Sequence, residues 1–112
     1  MSSLLMFRRT ASTEDGETRW ELVDAAAPPD QPPAGIARTR HSPNGTVHVV
    51  SLAALSTPEV DLLPHLVREL VAALRRTDAT LISIRGGRPD VDAALLAEDF
   101  LPTGNGPFLL HL

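Results

Sequence analysis

An α+β fold, with a mixed, mostly antiparallel sheet of about five to six strands and two helices, is the architecture this sequence predicts. The prediction rests on three features. Two pairs of alternating segments, each pair broken by a turn signal, occupy the first half of the chain. From Asp61 the apolar period lengthens to that of a helix. A branched apolar run, a short helical pattern and a last apolar run then complete the order ββββαβαβ.

The first pair is Leu4 to Thr10 and Thr18 to Val23, the latter alternating around Trp20 and Leu22, with Glu14-Asp15-Gly16-Glu17 between them. It reads as a hairpin. Ala25 to Ala34 contains four prolines, which remove backbone donors and favour extended polyproline II, so it reads as an exposed loop. The second pair, Ile36 to His41 and Thr46 to Ala53, is joined by Ser42-Pro43-Asn44-Gly45. Proline suits the second position of a type I turn and glycine the left-handed bulge after it. That turn sets His41 opposite Val47 and Arg40 opposite His48, with Ala37, Thr39, His41, Val47, Val49 and Ser51 on one face. A two-residue Asn-Gly turn would pair His41 with His48, but Pro43 would then occupy a hydrogen-bonded position without an N–H to give.

Ser56-Thr57-Pro58-Glu59 has the form of a capping box, and Leu63, Leu66, Val67, Leu70, Val71 and Leu74 follow one helical face. Pro64 requires that helix to begin near Asp61, because only a first-turn amide has no intrahelical acceptor to lose. Ala79 to Ile84 is almost continuously apolar, as a strand buried on both faces would be. Gly86-Gly87-Arg88-Pro89 ends it. Pro89 to about Glu98 forms a short helix with Val91, Ala94 and Leu95 inward, and Pro107 to Leu112 a last strand. The crossover from the fourth strand to Ala79–Ile84 joins parallel strands, which makes the sheet mixed.

A chain of 112 residues suffices for a single domain, 1–112, with 25–34 as its proline-rich loop. Its composition, 43% hydrophobic and 21% charged, is that of an ordinary globular protein. Without cysteine there is no disulfide, thiolate nucleophile or Cys-ligated metal, and without tyrosine no phenolic general acid. The formal charge of -4 argues against sequence-independent nucleic-acid binding, which needs a basic excess. All ten basic residues are arginine, and alanine, leucine and proline abound, as a GC-rich bacterial coding bias produces. No apolar run approaches the ~20 residues of a membrane span, and Met1 to Arg9 lacks the pattern of a signal peptide, so a cytoplasmic protein is expected.

Few residues suggest chemistry. His41 and His48 would be paired metal ligands only in the less favoured register, and no metal is expected. Ser51, His48 and Asp61 lack the strained elbow and oxyanion glycine of a nucleophilic triad. Gly86-Gly87-Arg88, leading from a strand into a helix, is a weak anion site, since Pro89 removes one amide. Trp20 reads as core. Arg8, Arg9, Arg38 and Arg40 form a stripe if the hairpins are adjacent, and Glu14, Asp15, Glu17 and Glu21 are near enough in sequence to make it a mixed-charge face.

The order of elements resembles the GNAT superfamily of acyl-CoA-dependent N-acetyltransferases, most closely over Ala79 to Leu112. There Leu81 to Ile84 looks like the family's fifth strand, Asp90 to Asp99 like its last helix and Phe100-Leu101-Pro102-Thr103 like the segment after its frequent Gly-Phe pair. The resemblance implies a cofactor loop at Ser56-Thr57-Pro58-Glu59-Val60-Asp61, with Ser56, Thr57 and Val60 as cofactor-binding residues if acyl-CoA binds. That segment has no glycine, contains a proline and carries two carboxylates. The family's general-acid tyrosine falls near Leu95, and its glycine before Phe100 is Asp99. The family's first strand and two helices have no counterpart, so the chain resembles a truncated, degenerate member.

The expected function is therefore a non-catalytic binding or assembly protein without a cofactor. The alternatives are an acyl-CoA-dependent N-acyltransferase with an atypical cofactor loop, for which a V-shaped gap between the strands ending near Leu55 and starting near Ala79 is the sign, and one half of a two-component protein. Two helices cannot cover both faces of such a sheet. An open face carrying apolar residues from both hairpins is expected, with a homodimer or protein partner covering it and neither nucleic acid nor membrane involved.

Overall fold

The computed structural model describes residues 5–12, 16–26, 28, 30–55, 61–104 and 106–112. Alternating side chains build β1 (Leu5–Ser12), β2 (Glu17–Asp24), β3 (Gly35–His41) and β4 (Thr46–Ala54), each antiparallel to the one before it. In the turn before β4 the Ser42 N–H donates to the Thr46 carbonyl at 2.8 Å and the Gly45 N–H to the Ser42 carbonyl at 3.1 Å. Gly45 takes φ +88°, a conformation that costs glycine nothing. His41 lies opposite Val47 and Arg40 opposite His48, the register expected of a type I turn with a bulge.

The helical period becomes α1 (Leu63–Arg75), with Leu63, Leu66, Val67, Leu70, Val71 and Leu74 buried. Pro64 falls in the first turn, as its missing N–H requires. The cap differs from expectation: Leu62 is the N-cap residue and has no side-chain cap, while Asp61 Oδ1 accepts the Leu63 N–H at 3.1 Å. The expected capping box, Ser56 to Glu59, lies outside the described residues.

Beyond α1 come β5 (Leu81–Arg85), α2 (Pro89–Ala97), β6 (Leu101–Pro102) and β7 (Pro107–His111). The sheet order is β1-β2-β3-β4-β5-β7-β6, in which β4 and β5 form the parallel pair and the other neighbours are antiparallel. Seven strands exceed the expected number because β6 is a two-residue strand, too short to register as an alternating segment.

Both helices join a single hydrophobic cluster on one face of the sheet, with Trp20, Leu22, Ala37, Val47, Val49, Ile82, Ile84, Phe108 and Leu110. Trp20 is core, as expected. It is 6% exposed, stacks on Phe7 with ring centroids 5.6 Å apart, and donates from Nε1 to Thr39 Oγ1 at 2.9 Å. One expectation is corrected. β5 is buried on one face alone, with Leu81 and Ser83 half-buried, because both helices pack on the same side. The other face is open and of mixed character: the hairpins send Phe7, Trp20, Leu22 and Ala37 toward the helices, leaving the apolar Met6, Val23 and Ile36 outside together with Arg8, Arg19, Glu21, Arg38 and Arg40. No helix among the described residues is long and apolar enough to cross a membrane.

Candidate functional site

The parallel pairing of β4 with β5 is short. It runs from Thr46 opposite Leu81 to Val49 opposite Ile84, after which β4 continues to Ala54 against β3 alone and β5 ends at Arg85 against β7. The cause is local. Arg38 faces Ser51 while its neighbour Thr39 faces Val49, so Val50 is an extra residue, a β-bulge at the point where the strands diverge. The bulge also reverses the alternation of β4. Val47 and Val49 point to the core, but after Val50 it is Leu52 and Ala54 that pack inward and Ser51 that is exposed. The expected placement of Ser51 on the face of Val47 and Val49 is corrected by this one residue.

Between the diverging strands lies a cleft of about 170 Å³, lined by Val49 to Leu52 on one side and by Ile84, Arg85, Arg88 and Val91 on the other. Its lining is mixed, with apolar side chains from Val49, Val50, Leu52, Ile84 and Val91 beside polar groups. Its polar side chains are Ser51, Arg85 and Arg88, which can hydrogen-bond and hold an anion but cannot exchange protons near neutrality. Because β4 and β5 no longer pair here, their facing edges are open to an extended chain with its own amides.

Gly86, Gly87 and Arg88 sit at the foot of the cleft, between β5 and α2. The Gly87 N–H donates to Asp92 Oδ1 at 3.0 Å, and Arg88 Nη2 donates to Asp90 Oδ2 at 2.7 Å. The Arg88 guanidinium holds the Asp90 carboxyl below its ordinary pKa, with the Val91 N–H assisting. Gly86 is required by space. A Cβ there would lie 2.5 Å from Asp92 Oδ1 and 2.5 Å from Phe108 Cε1.

Ser56, Thr57 and Val60 lie outside the described residues, while Asp61, just beyond them, gives its carboxylate to the start of α1. Leu95 is fully buried in the core. His41 and His48 face opposite sides of the sheet, one on β3 across from Val47 and the other on β4 across from Arg40. Asp99 takes φ +70°, with its N–H on the Leu96 carbonyl at 3.2 Å and the Phe100 N–H on that of Leu95 at 3.0 Å. This is a Schellman ending to α2, whose left-handed position ordinarily belongs to glycine. The sequence reasoning missed the cleft-lining stretch Val49 to Leu52. Its signal is the adjacent pair Val49-Val50, which breaks the alternation of an otherwise regular strand.

No family model matches this chain, and no curated protein resembles it in sequence. Solved structures resemble it in fold. A Bacillus subtilis acetyltransferase in complex with CoA superposes with a TM-score of 0.66 at 12% identity, over 97% of this chain and 99% of that one. An IAA acetyltransferase from Bacillus cereus gives a TM-score of 0.68 at 8% identity, over 97% and 100%. An aminoglycoside acetyltransferase solved with coenzyme A and kanamycin gives 0.58 at 15%, over 88% and 68%. The chain has the GNAT acetyltransferase fold, that of acyl-CoA-dependent N-acetyltransferases. The expectation of a scaffold working without a cofactor is corrected here, because neighbours of this fold hold CoA.

Proposed function

We propose that this protein binds an acyl-CoA in the β4–β5 cleft and passes the acyl group to an amine. The observation that carries the reading is the divergence of β4 from β5 at the Val50 bulge, which opens a slot of mixed polarity between the two strands. An amide-bearing pantetheine arm fits such a slot as an added strand would. Arg85 and Arg88 supply positive charge for phosphate, and Ser51 a hydrogen bond. Val49, Val50, Leu52, Ile84 and Val91 would offer apolar contact to the arm.

When bound, the cofactor would supply an activated thioester. The residues at the cleft accordingly act by alignment, a contribution worth up to roughly 7–11 kcal/mol of barrier in well-oriented systems. The acceptor enters as the free amine and its surplus proton passes to solvent. A second reading, a binding protein that does not turn over, is favoured by the lining itself: its only polar side chains are Ser51, Arg85 and Arg88.

Thermal melting with acetyl-CoA and a longer acyl-CoA tests the binding step. Ligand at about 100 times its Kd stabilises by roughly 2.7 kcal/mol, a rise of several degrees for a domain this size. Ser51→Trp, which fills the cleft from an exposed position, abolishes the rise and leaves the unliganded melt unchanged. No rise in the wild-type protein at millimolar ligand overturns the proposal. Release of free thiol on adding amines separates transfer from binding alone.

A further inference from the structure

The open face of β1, β2 and β3 carries four arginines and two glutamates among the described residues. Arg38 donates from Nε and Nη2 to Glu17 Oε1 at 3.2 and 2.7 Å, and Arg40 from Nη2 to Glu17 Oε2 at 3.3 Å. Arg8 donates to Glu21 Oε1 at 3.4 Å and Arg19 to Glu21 Oε2 at 3.0 Å. Each glutamate thus braces two guanidiniums and neutralises one. The glutamates are the sheltered members: their side chains are 8% and 14% exposed, against 43 to 56% for the arginines. The result is a platform of positioned, outward-facing guanidiniums with donors to spare, on a chain whose formal charge is -4.

Folding does not ask for this arrangement. Arg19 lies directly opposite Arg38 in the β2–β3 ladder, and like charges so placed weaken a sheet. The pairs to Glu21 and Glu17 offset that repulsion in part, and no helix among the described residues covers the face.

We propose that this face docks an acidic polypeptide segment, its carboxylates taken by Arg8, Arg19, Arg38 and Arg40. Guanidiniums bind carboxylates through paired N–H donors, and those two residues apart on a strand stand roughly 7 Å apart, the repeat of alternate side chains on an extended peptide. A single-stranded nucleic acid fits less well. Such ligands are held by stacking, and every aromatic ring of the chain (Phe7, Trp20, Phe100 and Phe108) belongs to the helix side or the core. A two-fold dimer through the face would set arginine against arginine.

Fluorescence anisotropy with a labelled peptide of alternating glutamate and glycine, and with an oligonucleotide of equal charge, tests the docking at 50 and 500 mM salt. The wild-type protein binds the peptide more tightly than the oligonucleotide, and high salt weakens the complex. Arg19→Gln weakens peptide binding roughly tenfold, the loss of a charge-assisted contact, while its melting temperature stays level or rises because the opposition to Arg38 is relieved. Loss of binding with loss of fold in that variant overturns the proposal, as does absence of peptide binding at 50 mM salt. Tighter binding of the oligonucleotide assigns the face to nucleic acid instead. Sedimentation showing a wild-type dimer that Arg19→Gln dissociates assigns it to a second copy.

Discussion

On the helix side of the sheet, Trp20, Ala37, Thr39, Val49 and Ile84 meet across neighbouring strands and are sealed by α1 and α2. On the open side, the residues between them are Arg19, Arg38, Arg40 and His48, held to two glutamates or facing water. The same strands thus supply a face whose energetics is burial and a face whose energetics is screened charge. Stability is concentrated on the first, which leaves the second free to be shaped by recognition.

The largest expected effect tests the sealed face. Leu66 is fully buried against the sheet, and Leu66→Ala removes its contacts and leaves a cavity, at a cost of about 2–5 kcal/mol measured by denaturant unfolding. A loss below about 1 kcal/mol would show that α1 does not seal this face. Thr39→Val comes next. It keeps the shape but leaves the Trp20 indole N–H without its acceptor, which costs about 1–3 kcal/mol. The open-face change Arg19→Gln stands in contrast, with no loss expected at all.

How much of this contrast was legible depends on which residues carry it. The helix face Leu63 to Leu74 and the turn Ser42 to Gly45 announce themselves because period and turn chemistry are local properties. The register that brings Arg19 opposite Arg38 depends on pairing between β2 and β3 across the proline-rich loop, and no local rule sets it. The cleft is harder still. Its origin is one extra residue, Val50, whose effect is to separate strands distant in sequence. The open face follows from the count of helices and its mixed charge from the arginines and glutamates of adjacent hairpins, but the pairing of Arg19 with Glu21 and of Arg38 and Arg40 with Glu17 depends on a register that is not local.

Asp99 offers a prediction of opposite sign. At φ +70° in the Schellman ending of α2, an aspartate bears a steric cost that glycine does not. Asp99→Gly stabilises the protein by about 0.5–1 kcal/mol, read as a higher midpoint of thermal unfolding. An unchanged or lower midpoint would mean that the carboxylate makes up for the backbone strain.

The smallest effect lies at the rim of the cleft. Arg88 lowers the pKa of Asp90, so the stabilisation from this pair is present above the ordinary aspartate pKa and is lost as pH falls through the lowered, folded-state value. Asp90 lies at the surface, where solvent screens the pair, and its removal leaves the unfolding midpoint at neutral pH where it was. The interaction is nevertheless visible to a site-specific probe. In a carboxyl-carbon NMR titration Asp90 gives up its proton at a lower pH than an ordinary aspartate, and in Arg88→Gln that titration moves upward. If it does not move, Arg88 is not held by Asp90 in solution, and both of the cleft's arginines are then available to an anion entering between β4 and β5.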